Sequence, residues 1–528
     1  MKTKLLYASL LFALACGPAS TDSDSTSIAK TPDDITNLDR TPGDRDQPVA
    51  PAPPVPRAPE AGTQAGLQTR HNAPPHSILS KPFFDEPDLG GTRDTSSGTA
   101  NLGAGGSGFR RNVRYTPVQG QPGLYEVVLT NTGSGWVEKF LLFVPALPVG
   151  QRAPLLVVFH KFGVSHWDAY YNTTFFDEAR NRNWFVVAPL GATQASFGSL
   201  ESQINVQAAL QFVTSQYNVN PYKVYGVGFS MGGGAATSFA ARNIDASTGL
   251  MFAAIVNHTG GVSLTNTYAN EYDDDDANDN TPVPGQNLEV PDILENWFGG
   301  PPSTHAFEYQ RASMIDLDPA TRIVGTGSDR SRNISHIPVL DWMASNDPLV
   351  YLRDQTTAFD AHVNGQNANN TMTIVNANVH KWYTLDFHAA CNWLSQFSLQ
   401  LPSTASTLAD QDGSYFWFQV KQSTGGAFTP FNWTVDSVNN RLTLWGTANL
   451  DRLSVDATKA GLQYAGALKL NLNTADSTGD EVLFENLPYE PASVTRDGVV
   501  VAGVWDPVAK SYLVDEPSST THMWRLNF

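Results

Sequence analysis

Cysteine is nearly absent from this chain of 528 residues, which has only Cys16 and Cys391. Cys16 falls in an N-terminal leader, so the two are not expected to pair, and the fold must rest on core size rather than on a disulfide framework. Basic residues are scarce too: 33 Lys and Arg against 51 Asp and Glu, a net charge of −18. That balance argues against a nucleic-acid partner, which needs clustered cations to neutralise phosphates. It suits a soluble, secreted or surface-exposed protein. Beyond the leader, no stretch is long and apolar enough to be transmembrane. The chain lacks HExxH, CxxC and a dinucleotide-binding glycine signature, and His258 and His305 belong to no metal-ligand pattern. Neither a cofactor nor a metal is expected.

What is present begins with a leader over residues 1–16. Lys2 and Lys4 give it a positive start, and LLYASLLFALA (Leu5 to Ala15) is apolar but too short to span a bilayer. It ends Ala13-Leu14-Ala15-Cys16 and resembles a bacterial lipoprotein signal, although Ala13 stands where that family usually has leucine. The resemblance implies lipidation of Cys16 and an exported cell-envelope protein that touches the membrane only through its N-terminal lipid. Ordinary secretory cleavage is the alternative. Residues 17–108 are rich in Ser, Thr, Asp, Pro and Gly, as in APAPPVPRAP. Such a segment cannot bury enough apolar surface to offset its ordering entropy, and a disordered tether is expected.

Ordered structure is expected from Phe109. Two strands, YEVVLT and VEKFLLFVP, flank the turn Asn131-Thr132-Gly133-Ser134-Gly135 and predict a hairpin. Continuously apolar runs follow, LLVVFH, WFVVAP, KVYGVGF, FAAIV and PVLDWM, then TMTIVNANV. They alternate with helical stretches, among them Asp168 to Asn183, Glu201 to Tyr217, Leu352 to Val363 and Tyr383 to Leu399. Strands apolar on both faces, separated by helices, predict an α/β sheet that is mostly parallel and covered on both sides. The count is eight strands, two antiparallel and then six parallel. From Pro402 the helical periods stop. Seven short β-rich runs separated by turn residues predict a smaller C-terminal β-sandwich over 402–528. Trp417, Trp433, Trp445 and Trp505 there are candidates for stacking on sugar rings, although tryptophans in a sandwich are more often core.

The sharpest motif is Gly228-Phe229-Ser230-Met231-Gly232. It reads G-x-S-x-G between the buried strand KVYGVGF and a small-residue helix, MGGGAATSFAAR. In that setting the serine sits at the tip of a tight strand-to-helix turn, where flanking glycines leave room for close backbone approach. Together with VVFHKFG, VVAPLG, WFGGPPSTHAFEYQRAS and IPVLDWMASNDPLV, it makes residues 109–401 resemble an α/β-hydrolase. The resemblance extends to secreted esterases and polyester depolymerases of the feruloyl-esterase type, and to prolyl-oligopeptidase-like catalytic domains.

The resemblance implies a serine nucleophile, then an acid after the seventh strand, then a histidine after the eighth. Ser230 needs a base, and the base needs a carboxylate to hold its tautomer. Asp347, in SNDPLV just past PVLDWM, is the expected acid; Asp341 competes from inside the strand. His380, directly after TMTIVNANV, is the expected base; His388 competes from what reads as a helix interior. The expected oxyanion donors are the backbone N–H of Met231 and that of Phe162 or Lys161 in the loop His160-Lys161-Phe162-Gly163. His160 is expected to orient that loop. Residues 265–333 form an insertion where this fold often carries a lid. Its run Glu271 to Asp279 is acidic enough to suggest calcium, but it lacks the EF-hand glycine and glutamate, and a solvated loop is the preferred reading. The expected reaction is carboxylic-ester hydrolysis, with polymeric or oligomeric esters among the expected substrates. A serine peptidase and a catalytically inactive polysaccharide-binding lipoprotein are the alternatives.

Overall fold

The computed structural model describes residues 113–130, 132–270, 290–325, 328–464, 466–474, 479–516 and 520–528. Cys16, the expected tether and the acidic run Glu271 to Asp279 lie outside the described residues.

Nine strands build the first sheet: β1 (Val113–Pro117), β2 (Leu124–Leu129), β3 (Glu138–Phe143), β4 (Ala153–Phe159), β5 (Phe185–Pro189), β6 (Val219–Phe229), β7 (Ala254–His258), β8 (Val339–Ala344) and β9 (Thr371–Val375). Their order is β1-β2-β3-β5-β4-β6-β7-β8-β9. The pairs β1–β2, β2–β3 and β3–β5 are antiparallel, and every pair from β5–β4 onward is parallel. The expectation of eight strands is therefore corrected to nine, three antiparallel and then six parallel. The missed strand is β1, VRYTP, largely exposed at the sheet edge and closed by Pro117. It lacks the apolar run that marks a buried strand, and edge strands tolerate proline. In β5, β7 and β8 every residue is buried, and in β4 all but Pro154, as strands covered on both faces must be.

The helices are α1 (Asp168–Asn172), α2 (Phe175–Arg182), α3 (Leu200–Gln216), α4 (Met231–Arg242), α5 (Leu264–Asn270), α6 (Val290–Phe298), α7 (Pro302–Ala312), α8 (Val350–Val363) and α9 (Phe387–Leu394). The single helix expected over 168–183 is broken at Thr173, which is extended and turns its hydroxyl onto the Ala169 carbonyl. The final helix is shorter than expected because Asp386 caps it, accepting the Ala389 N–H at 2.9 Å. Cys391 lies buried in that helix, and burial pushes its thiol up to about 12.

Between Thr404 and Asn527 the described strands form two further sheets, of seven and six strands. The sheets face each other through Phe418 on one and Phe431 and Trp433 on the other, with ring centroids 5.9 and 5.4 Å apart. The seven expected strands thus become thirteen: Phe416, with φ of 54°, breaks YFWFQV into two, the run 499–504 is also two strands, and Thr404–Ala409, Ser493–Arg496, Ser511–Glu516 and His522–Asn527 add four that were not expected. Trp433 is fully buried at the centre of this core, whereas Trp445 is partly exposed.

The C-terminal sheets are bonded directly to the α/β part. Phe416 exchanges backbone hydrogen bonds with Ile244 and Ala246 at 2.6 and 3.1 Å. The Asn333 side chain both donates to and accepts from the backbone of Leu408. Buried Asp410 accepts from Arg242 at the end of α4 and from Arg311 in α7.

Candidate active site

Ser230 is the single residue between β6 and α4, at φ 59° and ψ −126°. A non-glycine residue held there stores strain of about 1–3 kcal/mol, which the surrounding structure must impose. Three backbone bonds do so. The Ser230 N–H donates to the His258 carbonyl at 3.0 Å, and the Ser230 carbonyl accepts from Gly233 at 2.9 Å and Gly261 at 3.1 Å. The glycines of the motif are needed for close approach. A Cβ on Gly228 would lie 2.0 Å from the Gly232 carbonyl oxygen, and one on Gly232 would lie 2.4 Å from that of Phe159. Helix α4 is thereby drawn onto the ends of β6 and β4. Met231 and Gly232, in its first turn, point N–H groups that have no intrahelical acceptor out of the helix N-terminus.

His380 and Asp347 come together from two different loops. Asp347 follows β8, is 2% exposed, and places Oδ2 2.7 Å from His380 Nδ1; its Oδ1 accepts the Leu349 N–H at 3.0 Å. With the ring N–H given to the carboxylate, Nε2 is left as the acceptor. Nε2 is buried and makes no hydrogen bond. The His380 ring stacks on Phe229, the residue before Ser230, with centroids 4.4 Å apart. His380 therefore lies against the strand–helix turn at Ser230 with Nε2 unengaged.

The rival residues lie elsewhere. Asp341 sits within β8, accepts from Asn257 Nδ2 at 2.7 Å, and is pushed well above the usual carboxylate range by burial. Its hydrogen bond is to Asn257, whereas Asp347 is the carboxylate that reaches His380. His388 is exposed on α9, where Nδ1 lies 3.0 Å from Glu178. His305 is on α7, with Nδ1 2.9 Å from Thr304 Oγ1. Among the described residues, no group of three or more His, Cys, Asp or Glu is arranged to hold a metal ion.

In the loop after β4, the Lys161 N–H is already engaged, donating to Asp168 Oδ2 at 3.3 Å. His160 is buried, with Nε2 2.9 Å from the Leu190 carbonyl and Nδ1 2.7 Å from its neighbour's carbonyl. It ties this loop to the one after β5. That second loop is fixed by Glu138, fully buried at the start of β3, which accepts the N–H groups of Leu190, Gly191 and Ala192 and the Asn205 amide. Burial pushes Glu138 up to about 7 against the pull of those four donors.

Sequence reasoning missed two residues and an apolar cluster that frame the site. His258 packs against Phe229 with ring centroids 4.5 Å apart, and its Nε2 lies 2.8 Å from Thr384 Oγ1; burial, with His380 nearby, holds it well below the ordinary histidine range. Trp382 packs 5.2 Å from Phe229. Met231 and Phe162 adjoin an apolar cluster of Trp136, Phe197, Ile293, Trp297 and Phe298, so that α6 and α7 of the insertion pack over the oxyanion side. A histidine, a tryptophan and an apolar helix face look like ordinary core in a sequence. Only contact with Phe229 or Met231 distinguishes them.

A cavity of about 440 Å³ lies between the start of α3, α6–α7 and the first C-terminal strands, lined among others by Trp297, Phe307, Arg311 and Asp410. Ser230, Asp347 and His380 do not line it.

The fold and the elbow define a mixed α/β protein carrying a serine at a strained strand–helix turn. No family model matches the chain, and no curated protein matches it significantly. Solved structures similar to it include an S-formylglutathione hydrolase from Agrobacterium tumefaciens, at 13% identity over 54% of this chain and 98% of that one, with a TM-score of 0.37. A ferulic acid esterase is similar at 13% identity over 55% and 99%, with a TM-score of 0.35. Est1E from Butyrivibrio proteoclasticus is similar at 12% identity over 52% and 96%, also with a TM-score of 0.35. At these values the likeness assigns no reaction, which has to be argued from the geometry around Ser230.

Proposed function

We propose that this chain is a serine hydrolase that cleaves carboxylic esters through an acyl-enzyme. The observation behind the reading is His380. Its Nδ1 is bound to buried Asp347, its Nε2 is buried without a partner, and its ring lies on the residue preceding a strained serine. In the proposed reaction Ser230 Oγ attacks the ester carbonyl while His380 Nε2 takes the hydroxyl proton. Asp347 holds the tautomer and stabilises the imidazolium. The N–H groups of Met231 and Phe162 receive the oxyanion at the positive end of α4. Collapse of the intermediate expels the alcohol, which takes the proton from His380, and water repeats the sequence to release the acid.

The test is a panel of p-nitrophenyl esters beside prolyl and aminoacyl amides, with the full chain and its Ser230→Ala variant. The expected result is ester turnover in the parent, labelling of Ser230 by a fluorophosphonate probe, and loss of both in the variant with an unchanged unfolding transition. Turnover that survives Ser230→Ala ends the proposal. Faster cleavage of amides than of esters replaces it with a peptidase.

A further inference from the structure

The oxyanion loop follows β4 and the base loop follows β9. In the sheet these strands are separated by β6, β7 and β8, four spacings of about 4.8 Å. No strand pairing joins them directly, yet acyl transfer requires donor and base to be placed within a fraction of an ångström of each other. One side chain reaches both loops. Asp168, the first residue of α1 and 4% exposed, accepts the Lys161 N–H at 3.3 Å and the Trp382 Nε1–H at 2.7 Å, both on Oδ2. Its Oδ1 accepts from Asn172 Nδ2 at 2.8 Å and lies 3.9 Å from Lys161 Nζ.

Each contact has a consequence at the site. Lys161 immediately precedes Phe162, and holding its N–H on Asp168 fixes the His160–Lys161 peptide, the start of the turn from which the Phe162 N–H projects; the carbonyl of the next peptide, that of Lys161, lies 2.7 Å from His160 Nδ1. Trp382 lies two residues beyond His380 and packs on Phe229 at 5.2 Å, the same ring that His380 packs on at 4.4 Å. Asp168 is no helix cap: α1 has five residues, and no side chain caps its start. Burying a carboxylate is costly unless donors satisfy it, and two of the donors here belong to the two loops that must be aligned.

We propose that Asp168 is a positioning residue that holds the oxyanion donor and the general base in mutual register through one buried carboxylate oxygen. The proposal rests on the serine-hydrolase reading above. Asp168 touches no reacting atom. It acts through Lys161 on the Phe162 amide and through Trp382 on His380.

The experiment compares the full chain with Asp168→Ala, Asp168→Asn, Trp382→Phe, the double variant Asp168→Ala/Trp382→Phe, and Ser230→Ala. The readouts are kcat and KM for p-nitrophenyl butyrate, the rate of Ser230 phosphonylation by a fluorophosphonate, and the thermal midpoint. Asp168→Ala is expected to lower kcat and the labelling rate about 100-fold, comparable to loss of one oxyanion donor, with KM within about threefold. Asp168→Asn keeps an oxygen acceptor for both N–H groups, and Asn172 can turn its amide to match, so kcat is expected to recover to within about fivefold of the parent. Trp382→Phe keeps the ring packing but removes the N–H, and an intermediate loss of about tenfold is expected. The double variant is expected to be no slower than Asp168→Ala alone, because both changes break one linkage.

A kcat for Asp168→Ala within threefold of the parent overturns the proposal. So does an Asn variant as slow as the Ala variant, a loss expressed mainly in KM, or losses that multiply in the double variant. If Asp168→Ala does not fold, Trp382→Phe decides, and a kcat within twofold of the parent then overturns it. Labelling or turnover that persists in Ser230→Ala refutes the serine reading itself, whatever the Asp168 variants do.

Discussion

At the scale of single residues, the site depends on which lone pairs are occupied. Asp347 occupies His380 Nδ1 and leaves Nε2 unengaged. Replacing Asp347 by Asn keeps the shape but presents an amide that stabilises the wrong imidazole tautomer and no imidazolium. We expect Asp347→Asn to lower kcat about 10³- to 10⁴-fold with little change in KM, measured on the best p-nitrophenyl ester. Asp341→Asn is the informative control. Asp341 bonds Asn257 within the sheet, so the amide there leaves the Asp347–His380 pair untouched. The turn at Ser230 and the meeting of Asp347 with His380 were legible from motif and chain order. The engagement of the Lys161 N–H was not, because it depends on the direction of one peptide N–H toward Asp168, seven residues on.

At the scale of elements, loops are set by buried polar anchors rather than by their own sequences. Glu138 at the start of β3 holds the loop after β5, whose Leu190 carbonyl in turn meets His160. Its carboxyl is pushed from 4.5 up to about 7. An acid raised in the folded state binds more protons folded than unfolded between those two values. Stability therefore falls as pH rises from about 4.5 to 7 and levels off above it. The shift corresponds to at most about 3 kcal/mol. Urea unfolding at pH 5 and pH 8 is expected to show this fall in the parent and its loss in Glu138→Gln, and an identical pH dependence in the two proteins would refute it. The alternation of buried strands and helices was readable from apolar runs, since strands covered on both faces must be apolar throughout. The edge strand β1 and the break at Thr173 were not, because an exposed strand has no such pattern and Thr173 acts through a local side-chain bond.

At the scale of the whole molecule, the C-terminal sheets share a buried charge centre with the α/β part. Arg242 and Arg311 both donate to Asp410, and fully buried Arg330 lies in the same field. The three guanidinium groups hold the Asp410 carboxyl far below the usual range. Removing Asp410 takes that anion from Arg242 and Arg330 and leaves Arg311 only Glu308, 3.3 Å away; uncovering buried cations in this way typically costs about 3–5 kcal/mol. Asp410→Ala is expected to lower stability by that amount in urea unfolding and to split the calorimetric transition in two. A single transition at the parent's midpoint would show that the two parts are joined by other contacts. Because Arg311 is on α7, the same loss is expected to loosen the insertion packed beside Met231.

The sequence by itself determined the α/β architecture and the strand–turn–helix around Ser230, and singled out Asp347 and His380 in chain order, because burial on two faces and a turn flanked by glycines leave marks in local composition. It also marked the change to β structure after Pro402, through turn residues and the end of helical periods. Only the tertiary structure decided the ninth strand, the unengaged Nε2 of His380, the capture of the Lys161 amide by Asp168, and the arginine cluster around Asp410. The Arg242–Asp410 and Asp347–His380 bonds join groups 168 and 33 residues apart, and the Lys161–Asp168 bond spans seven. Local composition carries no record of such a meeting, since a buried aspartate and a solvated one are the same letter.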